Sequence, residues 1–191
     1  ALLGAVQRPG GIVDQPAPPF APWPEVSLDD AALAALERPP VVAPTPFGAL
    51  PSARLADALL AAPEAPVDTV LLHYANPCFA WPQPQRWREA LARVPFVVSF
   101  SPFFDETVAE VADLVLPDHT FLERFEDAQP APSIGRAVVG VFQPAVVPIH
   151  DTRATADVVI QLARALGGPV AEAFPWKEFR FAFAQRLNGV Q

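Results

Sequence analysis

Three short segments of the chain carry the side chains best suited to ligand binding or proton transfer. They are residues 73–77 (His-Tyr-Ala-Asn-Pro), 99–102 (Ser-Phe-Ser-Pro) and 117–120 (Pro-Asp-His-Thr). Each lies at the end of an apolar run typical of a buried strand, and open parallel sheets bind ligands outside the carboxyl ends of their strands. A second interpretation stays open, because Asn-Pro is a common turn signal and a single histidine is more often packed than catalytic.

The sequence contains no complete catalytic or metal-binding motif. Cys78 would act as a nucleophile only beside a base, and the sequence cannot place one there. Gly-x-Gly-x-x-Gly, phosphate-binding Gly-Lys-Ser/Thr, Gly-x-Ser-x-Gly and calcium-loop patterns do not occur. One cysteine forms no internal disulfide and no ordinary zinc or iron–sulfur site. The motifs therefore assign no catalytic residue and no metal ligand.

Negative charge is concentrated in one window of the chain. The formal net charge is −8, and residues 99–127 contain eight acidic residues against one basic residue. Such a field repels a phosphate backbone, which excludes nucleic-acid binding as the expected function. The acids could also bind a hard cation or act as general acids and bases, but helix caps and solvated faces are the simplest interpretation.

The elements that must position the three segments alternate between strand and helix. Apolar runs predict strands, and amphipathic spacing predicts helices between them, in this order: strand 67–74, helix 85–94, strand 96–100, helix 105–112, strand 114–116. This alternation predicts an α/β fold, a partial Rossmann-like parallel sheet with right-handed crossovers and flanking helices. The near-continuous apolar strands are typical of a sheet that is covered on both faces.

Composition divides the chain into three predicted parts: a proline-rich connecting segment with short helices at 1–66, an α/β dinucleotide-binding-like core at 67–128, and a loop with C-terminal helices at 129–191. The first part holds 13 of the 25 prolines and includes a helix predicted to begin at an N-cap, Ser27. A hydrophobic content of 51% excludes a disordered linker. No apolar run is long enough for a transmembrane helix, so no direct membrane insertion is expected.

Five segments, in order, resemble the molybdopterin oxidoreductases, large catalytic subunits that carry a bis-molybdopterin guanine dinucleotide. The matching pieces are residues 2–11 ("LLGNIGRPGG" in the family), 75–77 ("GNP"), 105–117 ("ETA…ADVVLP"), 118–123 ("DHTYLE") and 143–160 ("QPVVxPLxDTRxxxDVLI"). The 118–123 piece is most similar to the polysulfide, thiosulfate and tetrathionate reductases and their relatives. That subgroup includes cofactor-less subunits of quinone-linked respiratory complexes.

The resemblance implies a set of cofactor-binding residues. Asn76 and Pro77 would approach the guanosine end of one cofactor, and Ser101 stands where the family has Asp near the same dinucleotide. Glu106 and Thr107 match the pair that lines the cofactor cleft. His119 and Glu123 match family positions that face the interior near the active-site funnel. The implied cofactor is bis-molybdopterin guanine dinucleotide with molybdenum or tungsten, together with a four-iron four-sulfur cluster in an N-terminal part that this sequence lacks.

The resemblance also implies a function and partners. The chain, which lacks methionine, is expected to be an internal fragment of a molybdopterin-dependent oxidoreductase that carries out two-electron redox of a small, sulfur-containing substrate. The fragment alone is expected to be inactive. The alternative is a cofactor-less structural or electron-transfer subunit of a quinone-linked respiratory complex. Expected partners of the parent are an iron–sulfur electron-transfer subunit and a membrane anchor subunit. The resemblance favours the periplasm, with the cytoplasm as the alternative.

Overall fold

The computed structural model describes residue 4, residues 6–38, residue 42, and residues 52–128 and 135–190. Within these ranges the elements are, in chain order, α1 (Asp30–Leu36), α2 (Ser52–Ala61), β1 (Thr69–Leu72), α3 (Pro77–Ala80), α4 (Pro84–Leu91), β2 (Phe96–Ser99), α5 (Glu106–Val111), β3 (Leu114–Val115), β4 (Glu126–Ala128), β5 (Gly140–Phe142), α6 (Thr155–Leu166), α7 (Gly168–Ala173) and α8 (Phe179–Leu187). The predicted segment 1–66 and the predicted loop that opens 129–191 lie partly outside the described residues.

The chain forms two compact units. The sheet unit comprises Leu28–His119 and His150–Thr155. The helical unit comprises Ala1–Ser27, Thr120–Ile149 and Ala156–Gln191. The three-part division of the sequence at residues 66 and 128 stays a prediction. Nearly all of the residues that the sequence singles out for ligand binding lie in the sheet unit.

The sheet unit contains a three-stranded parallel sheet in the order β1–β2–β3. β1 pairs with β2 from Thr69 opposite Phe96 to Leu72 opposite Ser99. β3 pairs with the carboxyl-terminal half of β2 over a shorter register. The predicted α/β fold class is therefore confirmed. The strands are shorter than the apolar runs, because the residues at one or both ends of each run have no ladder partner.

The core of the sheet unit lies between one face of the sheet and the helices α2 and α4. Its buried members are Ala56, Leu59, Leu72, Cys78, Trp87, Ala90, Leu91, Val94 and Val97. Burial of one Leu side chain such as Leu59 or Leu91 stabilises the fold by about 1.5–3 kcal/mol. Trp81 packs edge-on against Trp87, with 4.7 Å between ring centroids, and closes the end of this core.

The guanidinium of Arg93 joins the end of α2 to the residues after α4. It donates hydrogen bonds to the carbonyl oxygens of Leu59 (3.0 Å), Leu60 (2.6 Å), Ala62 (2.6 Å) and Pro63 (3.2 Å). Carbonyls in the last turn of a helix have no partner within the helix. A planar guanidinium with five donors can satisfy several of them at once, so Arg93 acts as the C-terminal cap of α2.

Two short helices differ from the sequence prediction. α1 begins at Asp30, and the Asp29 carboxylate accepts a hydrogen bond from the Ala32 amide at 2.8 Å. Asp29, and not Ser27, is thus the N-cap, because it directly precedes the first helical residue and its side chain binds an amide of the first turn. α3 lies between the strand predicted at 67–74 and the helix predicted at 85–94, where no helix is predicted. Pro77 starts this single turn, since its fixed φ suits the first helical position.

The helical unit contains elements that the sequence did not indicate. β4 and β5 form an antiparallel pair, with Glu126 opposite Phe142 and Ala128 opposite Gly140; three-residue strands give too little alternation to predict. Gly167, at φ +74°, follows the last residue of α6, a position that commonly takes glycine. A further short helix, α7, follows at once, and the last helix begins at Phe179.

Aromatic side chains organise the interior of the helical unit. Trp23 packs edge-on against Trp176 with 5.5 Å between centroids, and Phe179 stacks on Phe183 at 5.9 Å. Trp23, Trp176 and Phe179 line an apolar cavity of about 390 Å³ beside Ile160. Among the described residues, no helix is both long enough and apolar enough to span a bilayer.

Candidate functional site

The carboxyl ends of β1, β2 and β3 meet at one edge of the sheet, because the three strands are parallel. We call this the strand-end edge and define it by the segments that follow the strands: residues 73–77, 100–107 and 116–119. This geometry brings most of the residues predicted from the sequence to a single place. It also shows how each of them is engaged.

Helix α5 supplies two of the predicted residues, Glu106 and Thr107. The helix starts where the sequence predicts, since the Asp105 carboxylate accepts a hydrogen bond from the Val108 amide at 2.9 Å. An aspartate N-cap of this kind satisfies an amide that has no partner within the helix. Glu106 and Thr107 are therefore held in the first turn of α5, at the strand-end edge.

Asn76 connects β1 to this first turn. It occupies the N-cap position of α3, yet its side chain makes no capping hydrogen bond there. Its amide Nδ2 donates to Glu106 Oε2 at 2.8 Å. Its Oδ1 accepts from Thr107 Oγ1 at 2.7 Å and from the Thr107 amide at 3.3 Å. Both ends of the Asn76 amide are thus bound to α5.

Thr107 has no exposed surface. Besides donating to Asn76, its hydroxyl oxygen accepts a hydrogen bond from the Cys78 amide at 3.1 Å. The hydroxyl consequently joins α5 to α3 as both donor and acceptor. Pro77, the first residue of α3, is also buried. The structure places these two predicted residues in the interior, where they connect helices.

Ser101 is 5% exposed and closes the loop after β2. Its hydroxyl donates to Asp105 Oδ2 at 2.9 Å and accepts from the Phe103 amide at 3.2 Å. The same aspartate caps α5 with its other oxygen. The serine therefore holds the N-cap of α5 in position.

A second group of polar side chains surrounds Asp118, which is completely buried. Its Oδ2 lies 3.1 Å from His73 Nε2, and its Oδ1 accepts from the Thr155 amide at 2.8 Å. The predicted residue His119 lies beside it. Its Nδ1 is 2.7 Å from the Thr152 hydroxyl.

Sequence reasoning considered the histidines singly and missed the pair of His73 and Asp118. A signal was present, because both residues follow strands whose carboxyl ends meet at one edge. Tyr74, also at this edge, donates from its hydroxyl to the His119 carbonyl at 2.9 Å. The residues after β1 and those after β3 are thus joined by two contacts.

Hydrogen bonds also set the charge of the edge. The Asn76 amide lowers the pKa of the Glu106 carboxyl below its usual value. A hydrogen bond from Arg88 likewise lowers the pKa of Glu110. Burial raises the pKa of the Cys78 thiol, an effect partly offset by its hydrogen bond with Thr107. The edge therefore carries the Glu106 carboxylate, and the residues next to it in α3 and α5 add a poorly nucleophilic thiol and the Glu110 carboxylate. The described residues contain no group of three or more His, Cys, Asp or Glu side chains arranged to hold a metal ion.

These side chains can be tested against the cofactor that the family resemblance implies. A pterin guanine dinucleotide needs cations or unpaired N–H donors for its phosphates, and acceptors for the guanine amino group. At the strand-end edge, the polar groups of Asn76, Ser101 and Thr107 are bonded to the protein itself, and Glu106 adds negative charge. These four side chains do not fit the phosphates, and among the four the Glu106 carboxylate is the one that suits the guanine amino group.

Comparison with known proteins gives one informative match. No protein-family model matches this chain. The chain is 38% identical over 98 residues to the menaquinone reductase, molybdopterin-binding-like subunit of Nitratidesulfovibrio vulgaris. The matched region is 51% of this chain but only 14% of the relative, so the chain corresponds to a small part of that protein. This partial match supports a molybdopterin-related family for the chain.

Proposed function

We propose that this chain is a segment of a molybdopterin-binding-like subunit of a quinone reductase complex, and that its strand-end edge is a structural junction. The 38% identity to a subunit of that name supports the first half of the proposal. The second half corresponds to the cofactor-less alternative drawn from the sequence. In this role the segment supplies part of an α/β domain, and electron transfer takes place elsewhere in the complex.

One observation carries the structural role: both ends of the Asn76 side-chain amide bind α5. Nδ2 binds Glu106, and Oδ1 binds Thr107 twice. A ligand that took over these contacts would leave the buried Thr107 hydroxyl without its acceptor, at a cost of about 1–3 kcal/mol. A closed network of this kind stabilises the junction between the strand ends and α5, and it disfavours opening for a ligand.

A second candidate function keeps the cofactor at the same edge. Here the parent is a molybdopterin-dependent oxidoreductase catalytic subunit, and the segment contributes to the pterin dinucleotide domain. The name of the relative and the Glu106 carboxylate, which can accept hydrogen bonds from guanine, favour it. The bis-guanine dinucleotide form, molybdenum or tungsten, and a four-iron four-sulfur cluster in another part of the parent all belong to this candidate.

The proposal also specifies the surroundings of the parent. A quinone reductase passes electrons between a quinone in the membrane and other carriers, so the parent needs an iron–sulfur electron-transfer subunit and a membrane anchor subunit as partners. We place the complex on the periplasmic side of the membrane, as the resemblance favours.

Purification of the tagged, full-length parent from its native membranes tests the proposal. We expect an iron–sulfur subunit and a membrane anchor subunit to co-purify, and we expect the complex to reduce a menaquinone analogue. A parent that purifies alone from gently solubilised membranes, or a complex without quinone reductase activity, would contradict the proposal.

A further inference from the structure

The two faces of the parallel sheet differ in how they are covered. Side chains at neighbouring register positions point to the same side of a sheet, and successive residues in a strand point to opposite sides. One face therefore carries Val70, Leu72 and Val97, which pack in or against the core of α2 and α4. We call it the covered face.

The opposite face, which we call the open face, carries a row of apolar residues across all three strands. Leu71, Val98 and Leu114 are register partners, so they form this row. Val98 is 3% exposed, but Leu71 is 50% and Leu114 40% exposed. Phe96, two residues before Val98 on the same face, is 41% exposed. The row contains no polar or charged side chain.

The helices that connect the strands explain why one face is covered. Right-handed crossovers between consecutive neighbouring strands place their helices on the same side of the sheet. α3 and α4 connect β1 to β2, and α5 connects β2 to β3. Buried residues of α3 and α4 belong to the core on the covered face, and Val111 of α5 packs against it. None of these crossovers covers the open face.

An all-parallel sheet is ordinarily buried on both faces. In doubly wound folds the second face is covered by crossover helices of strands added beyond the first strand, after the winding direction reverses. Among the described residues, β1 pairs only with β2, so its outer edge is available for such a strand. One additional strand beside β1, together with its crossover helix, would therefore fill the edge of β1 and cover the open face.

We propose that the open face packs against an amphipathic crossover helix supplied by the same subunit outside these 191 residues. This inference rests on the proposed function, in which the chain is a segment of a longer subunit. The relative supports a source within the same polypeptide, because the matched region is 14% of its length. The helix needs an apolar stripe at i, i+3, i+4 and i+7, without charges, to match Leu71, Val98 and Leu114.

Thiol labelling in the full-length parent tests this packing. Leu71→Cys and Leu114→Cys are introduced separately, and reaction with N-ethylmaleimide is followed by mass spectrometry of the peptides that contain them. Phe104→Cys is the control, because Phe104 is 82% exposed in the loop after β2. Using two open-face variants keeps the test decisive if one of them fails to fold. Peptide-level analysis separates these thiols from other cysteines of the parent.

We expect cysteines at 71 and 114 to react about tenfold or more slowly than the cysteine at 104, in the separated parent subunit as well as in the complex. Labelling at 71 and 114 as fast as at 104 in both preparations would overturn the inference. Protection that appears only in the complex would assign the open face to a partner subunit and would also overturn it. Co-purification and quinone reduction, measured on the same preparation, report on the proposed function separately from labelling.

Discussion

Asn76 and Thr107 lie 31 residues apart in the sequence, and the side-chain oxygen of Asn76 accepts hydrogen bonds from both the hydroxyl and the amide of Thr107. This contact joins the end of β1 to the first turn of α5. The Thr107 hydroxyl oxygen in turn accepts a hydrogen bond from the Cys78 amide, and this contact joins α3 to the same junction. The polar residues at the strand-end edge therefore stabilise the arrangement of three elements.

Thr107→Val is expected to destabilise this junction by about 1–3 kcal/mol, because it leaves Asn76 Oδ1 and the Cys78 amide short of a partner in a buried place. The measurement is hydrogen exchange of the peptides that cover α3 and α5 in the parent, and we expect these peptides to exchange faster in the variant. Unchanged exchange would show that the hydroxyl contributes nothing to the junction.

Thr155→Val is the matched control for this change. Among the described residues, the Thr155 hydroxyl is buried without a hydrogen-bond partner. Its replacement by a methyl group removes an unsatisfied polar atom, so we expect stability to stay the same or to rise. The same chemical substitution should therefore destabilise at one position and not at the other.

Acid is expected to loosen the contact between Asn76 and α5. The pKa of Glu106 is lowered in the folded protein, mainly by the Asn76 amide. The stabilisation is therefore fully present above the ordinary value of 4.5 and is lost as the pH falls through the lowered folded value. Glu106→Gln should reduce this acid dependence, as followed by hydrogen exchange of α5 between neutral and acidic pH. Glu172→Gln, at an exposed position of α7, serves as the control; an equal effect of both substitutions would contradict the assignment.

Arg93→Lys is expected to destabilise the end of α2. The single nitrogen of an ammonium group cannot bind all four carbonyl oxygens that the guanidinium binds. Each lost hydrogen bond to the charged group costs about 1.5–3 kcal/mol. Exchange of peptides covering residues 52–62 should accelerate. Arg54→Lys, at an exposed position of α2, should leave exchange unchanged. Equal behaviour of the two variants would exclude a capping role.

Cys78 is expected to resist alkylation in the native protein. The thiol is 1% exposed, and burial raises its pKa, so the reactive thiolate is scarce at neutral pH. Iodoacetamide should modify Cys78 quickly only after denaturation, as measured on the peptide that contains it. Rapid native modification would show that α3 opens readily and that the junction is weaker than its contacts indicate.

Much of the sheet unit could be predicted from the sequence. Apolar runs bounded by proline and polar residues indicate β1, β2 and β3, and Asp105 indicates the start of α5, because these signals are local. Ser27 was the wrong cap for α1, since Asp29 lies closer to the helix and both residues suit the role. The short pair β4 and β5 gives too few residues for a pattern.

The candidate site could be predicted only in part. The sequence indicates that Asn76, Ser101 and Glu106 follow strand ends, and parallel pairing places them at one edge. It cannot show that the Asn76 side chain bonds to Glu106, because that contact depends on register and rotamers across about 30 residues of chain. The pairing of His73 with Asp118, 45 residues apart, could not be predicted for the same reason.

The central claim is that the strand-end edge is a structural junction and does not hold a pterin dinucleotide. Molybdenum and tungsten content, together with fluorescent pterin released by oxidation, should be measured on the native complex purified from cells supplied with both metals. We predict that the complex contains clearly less than one equivalent of molybdenum or tungsten and of pterin per parent subunit, and that it retains quinone reductase activity. One equivalent of molybdenum or tungsten with its pterin per parent subunit would contradict the account and establish the second candidate.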